Sequence, residues 1–96
     1  ELIRTTVAAH FNTDAETLQS RRRDRNTATA RHVAVYLTRE MTSLSLPQIG
    51  GLYGGRDHTT ILNSIERIDG SLGEDATITT TVEMIRADIH SPGENR

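Results

Sequence analysis

The stretch Ser45-Leu46-Pro47-Gln48-Ile49-Gly50-Gly51-Leu52-Tyr53-Gly54-Gly55-Arg56-Asp57-His58-Thr59-Thr60-Ile61-Leu62 decides the fold. A serine followed two residues later by proline reads as a helix start, because the hydroxyl can accept from first-turn amides and proline is tolerated only there. Leu46, Ile49 and Tyr53 then share one side of a short helix. Gly54-Gly55 ends it, since glycine enters left-handed backbone conformations without a Cβ penalty. Asp57 can cap or enter the next helix, in which Ile61, Ile65, Ile68 and Leu72 step by 4, 3 and 4 residues. Two amphipathic helices joined by a glycine turn, the second opening on small polar side chains, describe a helix-turn-helix over about residues 45–69.

Upstream, Ala30, Val33, Leu37, Met41 and Leu44 step by 3, 4, 4 and 3, which predicts the longest helix over about 27–43. Ile3, Val7 and Phe11 form the stripe of a first helix over 2–11, and Asp14 can cap a short turn that carries Leu18 inward. Between them, residues 20–26 hold Arg21, Arg22, Arg23, Asp24, Arg25 and Asn26 with no apolar side chain, so an exposed basic loop is expected. Downstream, Ile78, Val82, Ile85 and Ile89 predict a last helix near 76–90. Thr77, Thr79, Thr80 and Thr81 favour strand locally, but a lone strand would have no partner. Residues 91–96 read as a polar tail.

The 96 residues suffice for one hydrophobic core, so a single all-α domain over 1–90 is expected. With two Tyr, one Phe and no Trp, that core must be aliphatic. The absence of cysteine removes disulfides, thiolate zinc sites and a Cys nucleophile. No run has the length of a membrane span, so a soluble, cytoplasmic domain is expected. The chain opens on Glu1 rather than Met, from which a piece of a longer protein is expected, a processed terminus being the alternative.

The net charge of −2 argues at first against a polyanionic partner. Its distribution reverses that reading. Residues 20–58 carry seven arginines, Arg21, Arg22, Arg23, Arg25, Arg31, Arg39 and Arg56, against Asp24, Glu40 and Asp57, a local +4. Residues 59–96 carry three arginines against seven acids, a local −4. Such separation creates a field that steers a polyanion toward the middle of the chain.

The exposed opening of the second helix has the chemistry of a base reader. Asp57 can accept from a cytosine amino group, Thr59 offers a methyl and a hydroxyl, and His58 offers a ring nitrogen and an apolar edge. Thr60 can bond phosphate at the positive end of the helix dipole. One of Arg21, Arg22, Arg23 or Arg25 can enter a narrow A·T-rich minor groove while others meet phosphates. Each residue has a plainer reading: the arginine run as a solvated loop, His58 as a surface or capping histidine, Arg39 as a partner of Glu40 or Ser43. The helix-turn-helix beside them favours the DNA reading.

Other chemistries fit poorly. Gly50 to Gly55 has phosphate-loop spacing, but Arg56-Asp57 follow where Lys-Ser/Thr is needed. Gly51-Leu52-Tyr53-Gly54 imitates the clamp of a KH domain, which needs a sheet. His10, His32, His58 and His90 are too scattered to share a metal, and no hydrolase elbow or close carboxylate pair occurs. No cofactor, metal or catalytic residue is therefore expected.

SLPxIG followed by GGRDHTT resembles the C-terminal DNA-binding domain of DnaA, the bacterial chromosomal replication initiator. The likeness extends to Thr6-Val7-Ala8, the Arg21-Arg22-Arg23-x-Arg25 loop and the run from Arg31 to Thr42, so it covers residues 2 to about 68. It implies an all-helical domain that binds short A·T-rich boxes at the origin. By the resemblance, Arg23 enters the minor groove while Asp57, His58 and Thr59 face bases in the major groove. Arg31, Arg39, Arg56 and Thr60 fall where the family contacts phosphate, and Pro47 and Leu62 where it makes apolar or backbone contacts. The family's ATPase domain, with its ATP or ADP and Mg, is expected upstream of this chain. The isolated domain is expected to be monomeric, and the parent protein to oligomerise on DNA. Departures are Thr29-Ala30 where the family usually has Arg-Pro, and Glu66 where a basic residue is common. The alternatives are a phage- or plasmid-borne regulator built on the same module and, from a different class, a helical protein-interaction domain.

Overall fold

A computed structural model describes residues 2–90, and the expected polar tail at 91–96 lies outside the described residues. Six helices follow in order: α1 (Leu2–His10), α2 (Ala15–Gln19), α3 (Arg25–Met41), α4 (Leu46–Leu52), α5 (His58–Ser71) and α6 (Ala76–His90). Among the described residues there is no strand, in keeping with the all-α expectation.

The helix starts are fixed by side chains that satisfy amides left free in a first turn. Asp14 accepts from the amide of Thr17 at 2.8 Å, Asp24 from that of Thr27 at 3.0 Å, and Asp57 from that of Thr60 at 2.9 Å. Ser45 and Gln48 form a reciprocal capping box around Leu46 and Pro47. The cap at Asp24 corrects one boundary, because α3 begins at Arg25 rather than near Thr27. Arg25 and Asn26, expected in the loop, therefore stand on the first turn of α3.

α3 is the axis of the domain and contacts α1, α2, α4 and α5. Its apolar stripe is accordingly wider than the spacing alone implies. Ala30, Val33 and Leu37 are buried as expected, and so are Thr27, Arg31, Ala34, Val35 and Thr38. A helix enclosed by four others has no single wet face. Tyr53 closes the core from α4, its ring fully buried and its hydroxyl 2.9 Å from Thr38 Oγ1. Removal from water pushes that phenol up to about 12, against a smaller opposing pull from the Thr38 bond.

Val7 of α1, Ile61 and Ile68 of α5, and Val82 and Ile85 of α6 complete the core. The threonine-rich start of α6 is helical despite its strand propensity. Asp75 accepts from the amide of Ile78 at 3.1 Å, and burial of Val82 and Ile85 outweighs the preference of single residues. A bidentate pair from Arg86 to Glu40 and a 2.7 Å contact between His10 and Asp88 fasten α6 to α3 and α1.

Between α4 and α5 the chain reverses around one carbonyl. Gly50 O accepts from the amides of Tyr53, Gly55 and Arg56 at 3.1, 3.0 and 3.0 Å. Gly54 takes φ +83°, a region that an L side chain resists.

Candidate nucleic-acid interface

The capped start of α5 leaves Asp57, His58, Thr59 and Thr60 exposed, while Ile61, Ser64 and Ile68 turn inward. Thr59 and Thr60 lie off the face that Ile61, Ile65 and Ile68 share, whereas Asp57 and His58, four and three positions before Ile61, are exposed because they stand at the end of the helix. Leu62, 40% exposed, stands beside that turn as an apolar side chain with no core to enter. Pro47 is exposed on the first turn of α4, and Arg39 is exposed at the end of α3, where its Nη1 donates to Leu44 O at 3.1 Å. Glu40, one of the alternative partners of Arg39, binds Arg86 instead.

The basic loop faces the α5 tip across a cleft of about 610 Å³. Arg21, Arg22 and Arg23 form one wall, Arg56, Asp57 and Thr60 the other, and Arg31 and His32 lie at its base. A second hollow of about 470 Å³ adjoins it and shares Arg23, Ala28 and His32, with Arg25, Thr29 and Arg67 completing its lining. The two residue groups singled out in sequence, Arg21–Arg23 and Asp57–Thr60, are 34 to 39 positions apart and meet around one cationic channel.

Two of the arginines expected at phosphate, Arg31 and Arg56, line the cleft with their guanidinium groups hydrogen-bonded inside the domain. Arg31 is only 7% exposed, and its guanidinium donates to three main-chain carbonyls: Nε to Leu18 at 2.8 Å, and Nη2 to Ser20 at 3.1 Å and Arg22 at 3.0 Å. Arg56 is half-buried, with Nη2 on Ser20 O at 2.8 Å and Nη1 directed at Tyr53 O and Gln19 O. Burial, and then the neighbouring Arg56 cation, lower Arg31 from the ordinary guanidinium value; burial, and then Arg21, lower Arg56. Both guanidinium groups thus donate to main-chain carbonyls of the 18–22 segment, and Arg56 also to that of Tyr53.

Two cleft residues escaped the sequence reading. Arg67 lies on α5 seven positions after Thr60, with Ser64 between them, and this i, i+4, i+7 row was the available signal. His32 sits one turn from Ala28 on α3, its Nδ1 2.7 Å from Ser64 Oγ. Nothing in its own sequence neighbourhood points to the α5 residues that surround it. Burial lowers His32 below the ordinary histidine value of 6.5, and the Arg67, Arg31 and Arg56 cations lower it further. The folded state therefore prefers the neutral ring. Stability that is complete above about 6.5 is expected to decline as pH falls from there through the lower folded-state value. Thermal melts between pH 7 and 5 check this, and His32→Gln should flatten that part of the profile.

Asp57 has a structural task in addition to any reading task. Its carboxyl is held below the ordinary range by the Thr60 amide and then the Thr60 hydroxyl, so it is ionised at neutral pH. Asp57→Asn keeps a capping oxygen and should leave the melting temperature nearly unchanged, whereas Asp57→Ala should lower it by a few degrees. If Asp57 also reads a base, both variants will alter discrimination among single-base variants of the preferred duplex. Unaltered discrimination with a lower melting point confines Asp57 to capping.

The family model described as bacterial dnaA protein helix-turn-helix matches residues 1–68. The chain belongs to this DnaA helix-turn-helix family. The chromosomal replication initiator protein DnaA of Mesorhizobium japonicum (strain LMG 29417 / CECT 9101 / MAFF 303099) is 43% identical to it over 86 residues, which are 90% of the chain and 18% of that relative. The chain therefore spans less than a fifth of that DnaA. The family match takes in the basic loop, the cleft and nearly all of α5, and it ends at the last buried residue of α5, Ile68. Most of the acidic C-terminal portion, including all of α6, lies beyond the family-model match, whereas the 86-residue alignment with the Mesorhizobium japonicum DnaA extends into α6. No described helix is long and apolar enough to cross a membrane.

Proposed function

We propose that this domain recognises a short A·T-rich duplex box, of the kind bound by a DnaA-type initiator at a replication origin, by reading two adjacent grooves at once. The observation that carries the reading is the single cationic cleft between the Arg21–Arg23 wall and the exposed Asp57–Thr60 turn. The major groove admits a helix tip, and the narrow A·T minor groove attracts arginine. In B-form DNA these neighbouring grooves are separated by one sugar-phosphate strand. A protein that enters both from one side must let that strand pass between its two reading elements.

In this reading the strand runs along the cleft, where Thr60, His32 and Arg67 are its phosphate contacts, and Arg23 reaches the minor groove. Asp57, His58 and Thr59 face base edges. Arg21, Arg22, Arg25 and Arg39 supply further positive charge along the flanks, and Pro47 and Leu62 make apolar contact. Phosphate beside His32 favours its protonated form, so binding should strengthen as pH is lowered through the histidine range. The domain contributes recognition rather than catalysis, and nucleotide chemistry belongs to other parts of a full-length initiator.

Competition for a randomised duplex library at several salt concentrations tests this. An enriched A·T-rich box, with affinity falling by about 0.9 log unit per log unit of salt for each phosphate neutralised, supports it. Indifference to both sequence and salt would indicate a protein-interaction domain. A box unrelated to replication origins would favour the phage or plasmid regulator.

A further inference from the structure

We propose that Arg31 and Arg56 are positioning residues that fix the reach of the Arg23 loop relative to the α5 tip, and that they do not themselves contact phosphate. The inference rests on the two-groove reading above.

The hinge of the loop is the segment 18–22, where α2 ends after Gln19 and Ser20 is extended (φ −78°, ψ −179°). Carbonyls in such a segment lack helical partners and need donors from elsewhere. Two guanidinium groups supply them. Arg31, projecting from the central helix, holds the carbonyls of Leu18, Ser20 and Arg22. Arg56, projecting from the turn before α5, holds those of Gln19 and Ser20, so Ser20 O receives both cations. The turn itself is seated on the same segment: a Cβ at Gly54 would lie 2.3 Å from Gln19 O, so only glycine permits the approach.

One contact therefore ties the base of the loop both to α3 and to the entry of α5. The planar fork of arginine is suited to this, because it spans separated acceptors in fixed directions, which a lysine ammonium cannot. The arrangement has an electrostatic cost, since each of these two cations is desolvated and Arg56 further disfavours the charge on Arg31. A polyanion in the adjoining cleft relieves that cost, which makes the clasp firmest when DNA is bound.

Arg31→Lys and Arg56→Lys keep the charge and remove the fork. Each is to be compared with wild type on the library-selected box, on the same box with its minor-groove half changed to G·C, and in combination with Arg23→Ala. The expected result is a loss of about tenfold on the A·T box, little change on the G·C-substituted box, an unchanged salt slope, and little further loss when Arg23→Ala is added. Amide exchange at Arg22 and Arg23 should also accelerate in each lysine variant while the amides of α3 remain protected. Equal losses on both boxes would overturn the proposal in favour of a general folding role. A salt slope flatter by about one unit in Arg31→Gln or Arg56→Gln, which remove the charge, with A·T preference intact, would overturn it in favour of direct phosphate contact. Absence of A·T preference in the wild-type domain would instead overturn the two-groove reading on which it rests.

Discussion

Gly50→Ala is expected to destabilise the domain by about 3 kcal/mol or more, whereas Gly51→Ala, one residue later, should be neutral or stabilising by up to about 1 kcal/mol. The two glycines are chemically identical neighbours on α4, so the difference must come from what faces them. A Cβ on Gly50 would lie 1.9 Å from Arg56 O, a main-chain atom that cannot rotate away. Moving it breaks the turn that Gly50 O organises through Tyr53, Gly55 and Arg56, and disturbs the capped start of α5. A Cβ on Gly51 meets nothing within 4 Å and only reduces the freedom of the unfolded chain. For a domain of this size about 3 kcal/mol corresponds to a fall of roughly 12 °C or more in melting temperature. Thermal melts of the two variants side by side decide the matter, and equal shifts would mean that the turn tolerates a wider α4–α5 separation than this close approach indicates.

That contrast also shows what could be read from the chain and what could not. Residues such as Ile61, Ile65 and Ile68 announce a helix by spacing, and Ser45, Pro47 and Asp57 announce the starts of α4 and α5 by local chemistry. Both signals are carried within a few residues. Gly50 gave no such signal, because its constraint comes from a carbonyl six residues away that approaches only after the turn has formed. Arg31 was legible as a cation but not as a buried one; its burial depends on the unpaired carbonyls of 18–22 lying over α3. Likewise Asp24 looked like a diluting charge within a basic loop, yet it ends that loop by capping α3 and pairs with Arg22. Charge runs tell where a field is strong. Which cation is held and which is available depends on acceptors that only the fold brings near.

Arg23→Ala should cost about 1–3 kcal/mol of binding, roughly 5- to 150-fold, on an A·T-rich box, and much less when the minor-groove half of that box is G·C. The expectation follows from how the other loop arginines are engaged. Arg22 is paired with Asp24 at 3.0 Å, and its carbonyl is taken by Arg31. Arg21 lies close enough to Arg56 to influence its protonation. Arg25 is on the first turn of α3. Arg23 is exposed, lines both hollows, and has no hydrogen bond or ion pair among the described residues. It can therefore enter a groove without breaking an internal bond, and the gain is largest where a narrow minor groove concentrates negative potential. Arg22→Ala provides the contrast: it removes a charge from the flank and an ion pair with the α3 cap, so its smaller effect should be similar on both duplexes. Direct titrations of the two variants against the two duplexes give four affinities. A preference for A·T that survives Arg23→Ala but disappears with Arg22→Ala would assign the minor groove to the wrong side chain, and would require the pair with Asp24 to open on binding.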